Sequence, residues 1–485
     1  MMPAQGAAAL DAMLAQMQVT ADPPADRTVA RIVGAWKVLP PGATAQELHH
    51  AHQAQWDRLQ QATALLQQLG DNASLAHWRA DLSRLDFVPD ADMVRAVEDF
   101  VHEQQALPEW ADPAQLARAE AMFMDHGPLS CILLFCASLP ECYVLPDLSA
   151  VLHLAGQLEQ RTEYRIRSTA AMIFPVMMRG GMGGDAGTGR AQVLKVRLIH
   201  ATIRNLILHG CPEDIAHAMA APHAAADAGV VAPLPALQGE RSMQAALFGA
   251  GWDVGCCGIP CDQEELGYTL LTFSYVFLRS MRKLGLRCAP ADEAAFLHTW
   301  NVVAHVLGVR GELMAHTMDD AAVLFTRMQQ RDRRSEFTHD PRPALGQALM
   351  RAMETSIPIT LLKPFGTLMT LYLCGRRTAG LIGVTARAPM PSRMVFFLLM
   401  VLTRGIDTLA RLVWPDFSIA RLITRVLGYR LITRLLMNQT RSLQLPTRLL
   451  NPAQQMLDAW GSDPHAPQWM NTLEDKMTVK GSWRG

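Results

Sequence analysis

Through most of the chain, apolar residues recur every three or four positions and β-branched alternation is rare. Almost every long segment therefore predicts helix, and the expected fold class is all-α. Residues 44–69 read as a polar amphipathic helix closed by Gly70, and its His49, His50 and His52 as part of a solvated face. Helices follow at about 90–105, 112–124, 128–138 and 146–178, the last broken or bent near Gln160. Gly180, Gly181, Gly183, Gly184, Gly187 and Gly189 predict a loop, and a helix over 190–208 ends at Gly210. The polar, Ala- and Pro-rich stretch 211–240 reads as an insertion or mobile lid. Asp262 as N-cap, with Glu265 at the third helical position, opens a strong helix over 262–285. Another helix, over 291–308, carries His298 and His305, and residues 392–440 are apolar with interspersed arginines. This pattern divides the chain into an N-terminal helical extension (1–110), a central core (111–390) and an apolar, basic C-terminal part (391–485).

Composition narrows the function classes. Lys+Arg 44 against Asp+Glu 45 leaves a net charge of −1, so no basic excess points to nucleic acid. Half of the 485 residues are hydrophobic and only 18% are charged, which implies a large core or a surface that meets lipid or an apolar substrate. The nine cysteines form no repeated pairs, which fits a reducing compartment. Cys256, Cys257 and Cys261 are close together but lack a fourth zinc ligand at finger-like spacing. The first residues show no basic cluster followed by an apolar run, and the longest apolar run, Met394 to Leu402, is shorter than the ~20 residues that span a bilayer. A cytoplasmic location is expected. Arg404, Arg411, Arg421, Arg425, Arg430 and Arg434 suit peripheral contact with an anionic membrane through 392–440, and arginines rimming a packed helix pair give the same pattern.

The candidate chemistry centres on His200, set in an apolar helical run with Arg197 three positions before it and Arg204 four after. Upstream, Arg165 and Thr169 are four apart and share a helix face. The glycine loop between the two segments is no phosphate-binding loop, because no Gly-Lys-Ser/Thr follows and no strand precedes it. Its glycines allow a tight turn between two helices. Such a pair can hold a flat ligand, with one axial nitrogen on one side and a polar face on the other. Taken alone, a histidine among aliphatic residues is usually a core histidine with a local hydrogen bond, and periodicity does not separate the two readings.

Three blocks together resemble the latex clearing proteins (rubber oxygenases) and the broader MpaB-type oxygenases. The first is Arg165-x-x-x-Thr169 followed, after the glycine loop, by KVRLIHA (Lys195 to Ala201); the second is GIPCDQEELGYTLLTFS (Gly258 to Ser274); the third is HTWNVVAHVLGVRGEL (His298 to Leu313). The resemblance implies a globin-like helical core holding haem b. It also implies use of dioxygen to cleave or oxidise a carbon–carbon double bond in an isoprenoid or lipid-like molecule. By the same resemblance His200 is the proximal iron ligand. Arg165 and Thr169 are the polar pair beside the haem, with catalytic and cofactor-binding roles, and Arg197 is the helix arginine preceding the ligand. Guanidinium groups at 165 and 197 suit haem propionates, and Met172, Ile173, Met177, Ile199 and Ile203 would supply an apolar lining.

The chain departs from the family at Ser168, where a lysine is usual, near Ser149, where a glutamate is expected, and at Cys261 and Asp262, which replace Ile-Asn. Gln263 and Glu264 read as helix-start and packing residues. The departures leave open a haem- or lipid-binding sensor or carrier without turnover. A weaker alternative is a non-haem metal site using His200, His298 and His305.

Overall fold

A computed structural model of the chain describes residues 4–37, 44–156, 169, 172–221, 227–234, 243–286, 288–331, 340–357, 359–385 and 388–410. The described residues are overwhelmingly helical. The single sheet among them is a two-stranded antiparallel ladder pairing Val230 with Asp253 and Val231 with Trp252. One contiguous apolar core runs from Leu14 to Val384, so residues 14–101 bury their apolar faces in the same interior as residues 116–384.

Several helix limits follow directly from their capping chemistry. The expected helix over 262–285 opens at Asp262, whose Oδ1 accepts the Glu265 N–H at 2.8 Å. It is divided into Gln263–Phe273 and Tyr275–Leu284 at Ser274, and Gly285, in the left-handed region, closes it. The expected helix over 44–69 is likewise divided, into Ala45–Ala51 and Gln53–Gln67. His52, at the break, is buried rather than solvated. Its Nε2 lies 3.0 Å from the Lys37 carbonyl oxygen, and its ring packs against Trp36 and Phe248. The stretch read as an insertion is partly ordered helix, Pro212–Ala220. Helix 113–133 continues into a π-helical turn, Leu134–Ser138, ahead of Leu139–Cys142.

The helix that positions His200, Gly189–Leu208, packs mainly against Pro23–Val33, with Met243–Phe248 and Pro290–Val306 on its other sides.

Candidate functional site

Positions 197, 200 and 204 fall within one face of the Gly189–Leu208 helix, since steps of three and four residues return to nearly the same azimuth. On either side of His200 that face is fixed by a buried ion pair. Arg197 Nε donates to Asp22 Oδ2 at 2.6 Å and its Nη2 to Asp22 Oδ1 at 2.9 Å, while Nη1 donates to the Val306 carbonyl at 3.1 Å. One turn beyond His200, Arg204 Nε donates to Asp26 Oδ1 at 2.7 Å and Nη1 to the Cys261 carbonyl at 2.9 Å. Asp22 is the N-cap of Pro23–Val33 and Asp26 lies in its first turn. Their carboxylates therefore sit where the helix dipole favours negative charge. The Arg197 guanidinium also lies over the Phe100 ring, 5.6 Å from its centroid. Gly308, with φ +82°, is needed beside this pair, because a Cβ there would come within 2.6 Å of Arg197 Nε and 2.7 Å of Asp22 Oδ2.

His200 itself is half-buried, and its Nδ1 is sealed from solvent with no hydrogen-bond partner. Burial, reinforced by the nearby Arg204 charge and opposed by Asp22, pulls its pKa down to about 4. At neutral pH the ring is therefore uncharged and keeps a lone pair, the state in which imidazole ligates a metal. A neutral imidazole with an orphaned nitrogen, on a helix held on either side of it, has the donor chemistry by which His200 would hold a haem iron.

The glycine loop forms a pinned junction between residues 172–177 and the His200 helix. Asn72 Nδ2 donates to the Gly181 and Gly184 carbonyls at 2.9 and 2.8 Å, and its Oδ1 accepts the Arg190 N–H at 3.2 Å. Glu120 Oε2 accepts the Gly180 N–H at 2.8 Å. A Cβ at Gly187 would lie 2.0 Å from the Gly180 carbonyl oxygen, so the loop closes only with glycine there.

Arg165 and Ser168 lie outside the described residues. Thr169 is helical and half-buried. Of the expected lining, Ile173, Met177 and Ile203 are buried and Met172 is half-buried, but Ile199 is exposed. Arg197, assigned from the sequence to the cofactor, instead spends its described hydrogen bonds on Asp22 and Val306, which makes it a structural clamp. Ser149 is buried and donates to the Tyr143 carbonyl at 2.9 Å. The non-haem metal alternative finds no support, since no cluster of three or more metal-ligating side chains occurs among the described residues. His298 Nε2 already accepts the Asp112 N–H at 2.9 Å, and both His298 and His305 pack edge-on against Trp110. Asp22, Asp26, Asn72 and Glu120 were not anticipated. The only signal for the first two was a pair of acids four apart at a proline-rich helix start.

Residues 257–405 match the family described as ER-bound oxygenase mpaB/B'/Rubber oxygenase, catalytic domain. The rubber oxygenase of Streptomyces sp. (strain K30) is 22% identical over 333 residues, which cover 67% of this chain and 68% of that protein. The chain is similar to the rubber oxygenases. Its fold matches the structure of latex clearing protein in the closed state with a TM-score of 0.55 at 17% identity, over 92% of this chain and 90% of that one. The all-α expectation and the resemblance read from the three sequence blocks both hold.

The family match begins beyond His200, so it falls on the helices that brace the site. There Gln263 Nε2 donates to the Ala21 and Gly308 carbonyls at 3.1 and 3.0 Å, tying the start of its helix to the Asp22–Arg197 clamp. Arg331 Nη1 donates to Glu264 Oε2 at 2.5 Å. Arg279 Nη2 donates to the buried Glu141 Oε1 at 2.6 Å, and Gln329 Nε2 donates to Glu141 Oε2 at 2.9 Å. Gln263 and Glu264 of the second block thus serve as staples, in agreement with the packing role read for them from the sequence.

Proposed function

We propose that the protein is an oxygenase that binds haem b through His200 and uses dioxygen to cleave or oxidise a carbon–carbon double bond in an isoprenoid or lipid-like substrate. The observation that carries the reading is the His200 imidazole, held neutral and leaving its sealed Nδ1 unpaired, in a chain similar to the rubber oxygenases. Haem, when bound, supplies the activation of dioxygen. The chain's own part is to hold a neutral imidazole in place through the Asp22–Arg197 and Asp26–Arg204 clamps. Arg165 would pair with a propionate and Thr169 would orient a polar ligand through its hydroxyl. Buried Ile173, Met177 and Ile203 supply apolar surface on the adjoining helices, which suits a hydrocarbon substrate.

The test is an absorption spectrum and oxygen uptake. Purified protein should show a Soret band and consume oxygen with an oligomeric isoprenoid, and His200→Ala should lose both. Full haem occupancy in the His200→Ala protein would refute the ligand assignment. A second reading, a haem- or lipid-binding protein without turnover, draws on Ser149. This side chain is buried against its own backbone where the family resemblance leads one to expect an acid–base glutamate. A haem spectrum without product from any alkene supports that reading instead.

A further inference from the structure

Over Met390–Leu402, the helix Met390–Ala410 presents apolar side chains on two opposite faces. Inward, Phe396 is buried and meets Phe365 edge-on, with ring centroids 5.4 Å apart. Outward, Met390, Met394, Phe397, Leu398, Val401 and Leu402 are all exposed, Phe397 by 69%. Their spacing puts them in one stripe about 18 Å long. In the loop that leads into Phe365, Ile359 and Leu361 are also exposed. Eight of the sixteen exposed large apolar side chains among the described residues therefore fall within 359–402, whereas isolated ones elsewhere are ordinary. A wide apolar helix face belongs against a protein interior or lipid, and the outward one here is uncovered among the described residues.

Charge and length select the occupant. In the sequence, residues 411–450 carry seven arginines against the single acidic Asp416, in a chain whose net charge is −1. Two copies meeting through this face would bring two such basic segments together, which disfavours self-association. The apolar stretch Met390–Leu402 is too short to cross a bilayer. An apolar face followed by a dense run of arginine is the combination that seats a helix in the plane of an anionic membrane, with guanidinium groups on the headgroups.

We infer that the outward face of Met390–Leu402 docks this protein onto an anionic lipid bilayer, with the Phe397–Leu398 ridge among the upper acyl carbons. This stands independently of the catalytic reading. The experiment is co-sedimentation of the full-length protein with vesicles of phosphatidylcholine alone or mixed with phosphatidylglycerol, at low and high salt. The protein should pellet with the mixed vesicles, and less so at high salt. The exposed-site variant Phe397→Ser/Leu398→Ser, checked for an unchanged melting curve, should lower partitioning at least about tenfold. Absence of binding to the mixed vesicles, equal binding to the neutral ones, or full binding by the double variant would each overturn the inference. So would sizing data showing a wild-type dimer that the double variant turns into a monomer, because the face would then be a contact between copies of the chain.

Discussion

Replacing either partner of the Asp22–Arg197 pair should cost far more than replacing both. Each side chain is almost wholly buried, with 4% of Asp22 and 6% of Arg197 exposed. Two parallel hydrogen bonds of 2.6 and 2.9 Å join them. Arg197→Met strands a carboxylate and Asp22→Leu strands a guanidinium. An uncompensated buried charge of this kind costs about 3–5 kcal/mol. The double variant strands neither, and its loss should be no larger than that of one single variant, giving a coupling energy of about 3 kcal/mol or more. Urea unfolding of the four proteins measures this directly, through midpoints at constant slope. Additive losses would refute the clamp. A haemin titration of the same four proteins asks a separate question. A clamp that acts by fixing the His200 helix lowers affinity in both single variants and recovers it in the double. A guanidinium that pairs with the cofactor loses affinity whenever position 197 is changed, whatever stands at position 22.

Three further outcomes are expected. Gly308→Ala puts a Cβ within 2.7 Å of both clamp partners at a φ of +82°, so it should destabilise the protein by about 1–3 kcal/mol and lose most of that effect in the Asp22→Leu/Arg197→Met background, as read by thermal melting. Asn72→Ala removes three hydrogen bonds that close the glycine junction and should cost about 2–4 kcal/mol, with faster amide exchange at Gly181, Gly184 and Arg190 as the local signature. Burial lowers the Lys195 pKa from 10.5 to about 8, so the folded state binds fewer protons than the unfolded chain between those values and stability should rise with pH across that window. The rise should amount to about 3 kcal/mol in wild type and vanish in Lys195→Met; parallel pH–stability curves for the two proteins would contradict it.

How much of this was legible in the sequence varies with the range of the interaction. Helix positions followed from the period of apolar residues, and the Asp262 cap followed from Asp262 and Glu265, three positions apart, because both are local. The division at Ser274 and the break at His52 did not show, because they answer to packing. His52 reads as one of several polar letters on a helix, and only the arrival of Phe248 turns it into a core side chain. The glycine loop was correctly a tight turn, but its closure depends on Asn72, more than a hundred residues upstream. Arg197 shows the same limit most clearly. A cation three residues before a candidate ligand suggests a partner for the ligand's charge, and no local pattern reveals that Asp22, 175 residues away, already occupies it. Arg165 and Ser168 remain readings of the sequence, since they lie outside the described residues.

The clamps also bear on how the candidate site divides its work. Arg204 lowers the His200 pKa, so the charge that braces the helix simultaneously keeps protons from competing for the imidazole lone pair. Asp22, Asp26, Arg197 and Arg204 brace the His200 helix, and of these Arg204 adds to burial in lowering the His200 pKa. At the two positions where the family resemblance leads one to expect acid–base groups the chain differs: Ser149 is committed to the Tyr143 carbonyl, and a serine at 168 offers no basic amine. Ligand holding and acid–base chemistry are therefore separable in this chain. Variants of the clamp should change cofactor affinity and stability together, whereas restoring Ser149→Glu or Ser168→Lys should alter turnover while leaving affinity near wild type. If both classes of variant moved the same observable, the division of labour argued from these hydrogen bonds would be wrong.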